Sequence, residues 1–314
     1  MRERKGQFNF AWMFAIIIGG TILFLAIFGA MKVGDTARFQ SDTEIAKSIA
    51  IITDPLQASF AEGSFGKIPF KQETRINNKC LDVGFGQNDI SVATQSDIGQ
   101  EWNLAAGATS IHNKYLFSSK RNSGTDYYVF SKPFKFPYKV ADLTFFISEN
   151  YCFLNAPDKV IDEVEGLKIE SIEIDDCTLE NSIKVCFGPG GGCDITVSGS
   201  CGSNCDSVYD VGTVITSSGD MRYVGSLMYA AIFSDKSVYD CNVKRLMYRN
   251  AKIAEVLIEK SDLMDARGCN TNLKGELTVW HGQTINATSD DLAGLRATSN
   301  SMNSKNSGES CGMW

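Results

Sequence analysis

Residues 10–31 form a run of twenty-two without a charge or a proline. At about 1.5 Å of rise per residue, a helix over this run would span roughly 33 Å, enough for a hydrocarbon core of about 30 Å. In lipid a helix pairs every peptide group within its own segment, which a lone extended chain cannot do. Gly19, Gly20 and Gly29 would weaken a helix in water, but membrane helices tolerate them. The run predicts a transmembrane helix over 10–31, with the lipid bilayer as its partner.

The flanks predict its orientation. Arg2, Arg4 and Lys5 precede the run, with Glu3 as the one acid, so residues 1–9 read as a basic cytoplasmic leader. Residues 32 onward are then expected outside the cell membrane, on a single-pass protein with its N-terminus in the cytoplasm. A secretory signal peptide has an apolar part of about 7–15 residues and a small-x-small cleavage site. This run is longer, and Phe28-Gly29-Ala30 fits such a site poorly, so an uncleaved anchor is expected.

Lys5-Gly6-Gln7 stand immediately before the run. A short basic leader ending in Lys-Gly, then Gln, then a long apolar helix, resembles the class III signal peptide of archaeal type IV pilins and related surface proteins. The resemblance covers about the first 30 residues. It implies cleavage between Gly6 and Gln7 by a membrane peptidase, and an apolar helix that anchors the subunit or packs into a filament core. The glutamate that many pilins carry at the fifth position after the cut is Ala11 here.

The cysteines speak for the same topology. There are ten: Cys80, Cys152, Cys177, Cys186, Cys193, Cys201, Cys205, Cys241, Cys269 and Cys311. All follow the apolar run, and an even count on an exported domain reads as a disulfide framework. Pairing is not legible from spacing. Neighbours within 177–205, and Cys241 with Cys269 across a helix, are the expected choices, and Cys311 is expected to tie the tail back to the domain. The chain carries −7; setting aside the leader's +2 leaves −9 for the exported part. That acidity argues against a nucleic-acid partner and against anionic lipid headgroups.

The exported part reads as α+β. Ile45, Ile49, Ile52, Leu56 and Phe60 mark one face of a juxtamembrane amphipathic helix within 32–62, with Asp54-Pro55 as a break or restart. Residues 63–235 read as a β-rich ectodomain, a sandwich or an irregular antiparallel sheet. Two hairpins are expected: 112–118 with 127–131 around Arg121-Asn122-Ser123-Gly124-Thr125, and 211–216 with 221–224 around Ser217-Ser218-Gly219-Asp220. Pro133 and Pro137 suit an edge strand or a bend. Leu167, Ile169, Ile172 and Ile174 read as strand with one phase slip.

Residues 236–314 read as a helical region and polar tail packed on that domain. Ser237 and Asp240 give a capping-box-like start. Tyr239, Val243, Leu246, Ile253 and Leu257 then share one face, interrupted by Asn250, until Gly268. A short helix is expected near 291–302 and a loose stretch at 303–309. With its strands and many cysteines, the chain beyond the leader also resembles uncharacterised membrane-anchored proteins of small-genome archaea.

Signatures of chemistry are weak. Gly188-Pro189-Gly190-Gly191-Gly192 is followed by Cys193-Asp194 rather than the Lys-Ser/Thr a phosphate loop needs, so a turn between cysteines is expected. Cys186, Cys193, Cys201 and Cys205 could hold zinc, but lack two close pairs. No Cys-x-x-Cys suits a thioredoxin-like site, and no serine lies in Gly-x-Ser-x-Gly to join His112 or His281. Asp162, Glu163 and Glu165 read as a solvated turn rather than a calcium site. The Phe and Tyr between 115 and 153 read as packing. Asn286-Ala287-Thr288 is a glycosylation sequon on the expected exterior.

No catalytic residue, cofactor or metal is assigned. The expected role is a non-enzymatic surface or envelope component, contacting other surface proteins or itself. The alternatives are a pilin-like filament subunit and an anchored hydrolase with a carboxylate pair, which carries no sequence signature.

Overall fold

The computed structural model describes residues 13–29, 46, 65–95, 102, 107–189, 191–200, 209–269 and 271–314. Residues 13–29 are helical (α1), with side chains such as Phe14, Ile17, Leu23 and Phe24 exposed. The expected span 10–31 reaches beyond them. Among the described residues no helix is long and apolar enough to cross a membrane. Of the expected helix in 32–62 only Ala46 is described; it is helical and wholly buried. Lys5, Gly6, Gln7, Cys201 and Cys205 lie outside the described residues.

The rest is mixed α+β. The strands are β1 (Phe65–Leu81), β2 (Gln87–Thr94), β3 (Thr109–His112), β4 (Tyr115–Phe117), β5 (Arg121–Lys135), β6 (Lys139–Ile147), β7 (Tyr151–Leu154), β8 (Ile172–Ile174), β9 (Ile183–Phe187), β10 (Ile195–Ser200), β11 (Val211–Thr216) and β12 (Gly219–Val224). The helices are α2 (Asp158–Leu167), α3 (Leu227–Ile232), α4 (Lys236–Asp265), α5 (Lys274–Thr284) and α6 (Leu292–Gly308). Among the described residues the strands form two sheets, ordered β3-β2-β1-β5-β6-β4 and β12-β11-β10-β9-β7-β8.

The first sheet is buried on both faces at its centre. Tyr128 and Phe130 of β5 and Leu143, Phe145 and Ile147 of β6 face the main core. Tyr127, Val129 and Phe146 face a second cluster, which Ala46 joins. Successive side chains of a strand point to opposite faces, so the apolar run at 127–130 and the run at 143–147, broken by buried Thr144, are what such a sheet requires. Every Phe and Tyr between Tyr115 and Phe153 is buried, as the packing reading expects.

Several expectations are corrected. Residues 121–125 are strand, not a hairpin loop: β5 runs straight through them, paired with the long β1 from Arg121↔Asn77 to Phe130↔Phe65. Asn122 is buried there and donates to Phe146 O at 3.0 Å. The sheets are not purely antiparallel, since β7–β8, β7–β9, β9–β10 and β4–β6 run parallel. A parallel pair needs a crossover, and α2 supplies one between β7 and β8. The acids Asp162, Glu163 and Glu165 therefore lie on a helix. Its apolar stripe is Val160, Val164 and Leu167, and it ends at Lys168 in the left-handed conformation. The second expected hairpin is present, with Val211↔Val224 to Thr216↔Gly219 in register.

Helix α4 is thirty residues long. Asp235 rather than Ser237 precedes its first turn, and the backbone N–H of Lys236 donates to Ser218 Oγ at 3.1 Å. Gly268, at φ 82°, follows its last turn as expected. Buried Asn250 is held on both sides. Trp280 Nε1 donates to its Oδ1 at 2.9 Å, and its Nδ2 donates to Phe136 O at 2.6 Å. The stretch 303–309 is not loose, because α6 continues through Gly308.

Among the described residues the disulfides are Cys80–Cys241, Cys152–Cys177, Cys186–Cys193 and Cys269–Cys311. Cys241 does not join Cys269. The helix continues for about 36 Å beyond Cys241 at its usual rise, far more than the ~7 Å between Cα atoms that a disulfide can bridge. Cys311 ties the tail to the end of α4, as expected.

Candidate functional site

Strand β5 outruns β1. Phe65 pairs with Phe130, and beyond it residues 131–135 pair with β6 alone among the described residues. Pro133 sits on this free edge. It has no N–H to offer, and its carbonyl accepts from Ser226 Oγ at 3.0 Å. Both features blunt the edge against addition of a strand.

A cleft of about 510 Å³ opens here, lined by Lys132, Pro133, Lys135, Glu163, Ser226 and Arg296 among others. A wider one of about 1000 Å³ shares Lys135 and Arg296 and runs along α6 past Tyr138, Asn300, Asn303 and Trp314. The parts converge from β5, α2, the turn after β12, and α6.

Two charge clusters set its walls. Lys132 Nζ donates to Glu163 Oε2 at 2.6 Å, and Tyr229 Oη donates to the same oxygen at 2.5 Å. Lys132 also stands 4.5 Å from the Tyr229 ring centroid. Burial pushes the Glu163 carboxyl up, but Lys132 and Tyr229 outweigh it and hold the group below the usual carboxylate range. Burial, with Glu163 beside it, holds the Tyr229 hydroxyl protonated well above its ordinary range. Further along, Arg296 grips Asp210 through two bonds of 2.7 Å, pinning α6 to the start of β11. Such forked pairs are strong and directional.

Glu163 is held low by Lys132 and Tyr229, the opposite direction from the raised carboxyl of a general acid. Glu149 is pushed up, by burial first and by Asp235 in addition, but it lines neither cleft. His112 in β3 and His281 in α5 line neither cleft either. No group of three His, Cys, Asp or Glu able to hold a metal occurs among the described residues. The glycine-rich loop is closed by Cys186–Cys193 and leads into strand β10 rather than into a helix, so it lacks the helix end that phosphate loops use. Asn286 is exposed in the turn after α5, where the sequon is accessible.

Lys132, Glu163, Tyr229 and Arg296 come from four separated elements. No sequence signal joins them beyond the proline after Lys132. No protein-family model, no curated protein and no solved structure matches the chain.

Proposed function

We propose that this chain is a single-pass, membrane-anchored extracytoplasmic protein with a non-enzymatic structural or interaction role at the cell surface. The observation that carries the reading is the set of disulfides linking β1 to α4, β7 to the segment after β8, β9 to the loop before β10, and α4 to the tail. Disulfides of that number persist in oxidising compartments. The exposed apolar side chains of α1 supply the anchor, since a stripe of that size has no reason to face water. The cleft along β5 and α6 supplies a contact surface for other surface proteins or a second copy.

One observation favours a pilin-like subunit as second reading. Ala46, the described residue between the apolar run and the first sheet, is helical and buried in one cluster with Ile76, Ile90, Val92 and Tyr127. In a filament subunit the segment that carries it would join the anchor to its globular part.

Protease treatment of intact cells, followed by alkaline extraction of membranes, tests the first reading. The expected result is a protein that stays with the membrane and loses its bulk to external protease. Protection from protease, or release by alkali, would overturn it. N-terminal sequencing of the mature protein separates the two readings: Gln7 at the terminus supports the filament subunit, and retained Met1 removes it.

A further inference from the structure

Arg245 is wholly buried in the first half of α4, yet no carboxylate pairs with it among the described residues. Its Nη2 donates to Lys114 O at 2.6 Å. Its Nη1 is shared at 3.1 Å between Gln87 O, Asn88 Oδ1 and Cys80 Sγ. The Tyr115 ring centroid lies 5.2 Å away. Asp82, whose charge acts on Arg245, is bound to Lys244. Burial accordingly pulls the guanidinium down to about 10, with Tyr115 and Asp82 opposing only in part. A buried cation held by neutral acceptors is costly, and an anion in contact with it would be strongly favoured.

Cys80 is placed to become that anion. Its sulfur touches the guanidinium, and it is half-buried, as is Cys241. A cleft of about 520 Å³ opens beside Cys80, with Lys79, Asp89 and Lys120 as its charged lining. Among the described residues no cation bonds a sulfur of the other three disulfides.

We propose that Cys80–Cys241 is a redox-active disulfide that exchanges with a small dithiol and leaves Cys80 as a thiolate paired to Arg245. One thiolate of the dithiol attacks Cys241 Sγ. The sulfur–sulfur bond breaks, and its electron pair leaves on Cys80. The second thiol of the reductant then attacks the mixed disulfide and displaces Cys241, which takes up the proton that thiol gives up. The dithiol ends as a disulfide, and the protein carries one thiolate and one thiol. Stabilising the leaving thiolate favours both the rate and the extent of reduction. The linkage joins β1 to α4 across 161 residues, so its reduction removes a covalent tie between the first sheet and the long helix and leaves the Arg245 hydrogen bonds to hold them.

The test uses the full chain in detergent, titrated with dithiothreitol under native conditions. Thiols are trapped with iodoacetamide across a pH series and mapped by peptide mass. The expected result is that Cys80–Cys241 opens first among the mapped linkages. Once open, Cys80 is alkylated at least about tenfold faster than Cys241 near about pH 6, the factor for one unit of thiol pKa. Opening last, or equal alkylation of the two thiols at every pH, overturns the proposal. Arg245→Lys should keep the preference for Cys80 and Arg245→Met should erase it. If Arg245→Met does not fold, the pH profile of the unaltered protein decides.

Discussion

The guanidinium of Arg245 occupies the space that a side chain on Gly86 would need: a Cβ there would lie 1.6 Å from Nε. Gly86 also holds φ at 104°, a conformation other residues rarely adopt. Gly86→Ala is therefore expected to destabilise by about 2–4 kcal/mol, from overpacking and backbone strain together. Gly84, at φ 53° with open space around it, is the control. Gly84→Ala should cost about 1 kcal/mol. Urea midpoints of the two variants check the difference.

Asn250 explains why an amide interrupts the apolar face of α4. It satisfies the Trp280 indole and the Phe136 carbonyl, and its own carbonyl accepts from Tyr138 Oη at 2.8 Å. Asn250→Leu leaves two buried groups unpaired. A loss of about 2–6 kcal/mol is expected, at about 1–3 kcal/mol for each orphaned group. The tryptophan emission should shift, because Trp280 loses the Asn250 acceptor. An unchanged melting temperature would contradict the account.

Glu149 sets a pH dependence. Burial raises its carboxyl, and Asp235 adds to the effect. The folded protein then holds this proton to higher pH than the unfolded chain does. Stability from this group is complete below the ordinary carboxylate range and falls as pH rises through the folded value. Glu149→Gln should melt above the unaltered protein near about pH 7, and level with it near about pH 3. Calorimetry at the two pH values checks the sign.

The tail is fastened twice. Cys269–Cys311 closes a loop of 42 residues, while Lys260 Nζ donates to Met313 O at 2.7 Å and Asn306 Nδ2 to Trp314 O at 2.9 Å. Replacing both cysteines with serine should lower stability by about 3–4 kcal/mol on the loop-entropy account. The folded tail should stay docked, because the hydrogen bonds remain. Limited proteolysis that removes the tail under native conditions would show the disulfide to be its sole restraint.

Much of the α-helical end was legible in the sequence. The face of α4, its stop at Gly268 and the β11–β12 hairpin followed from apolar spacing and turn residues. Helix α2 was not, because a ten-residue helix buries only three apolar side chains and its acids resemble a turn. Strand β5 was split in expectation because 121–125 carry loop-forming residues. Pairing with a seventeen-residue β1 overrides that local preference. The parallel pairs and the cleft were illegible for a shared reason. Both depend on contacts between distant segments, as Lys132 with Glu163 and Arg296 with Asp210 show, and such contacts leave no local periodicity.

Everything proposed for this chain depends on its cysteines being oxidised where it resides. The direct measurement is non-reducing peptide mapping of protein recovered from cell membranes, with free thiols blocked at lysis. The account predicts linked peptides for Cys80–Cys241, Cys152–Cys177, Cys186–Cys193 and Cys269–Cys311. Capture of these cysteines as blocked free thiols, on protein found in the aqueous fraction, would contradict it.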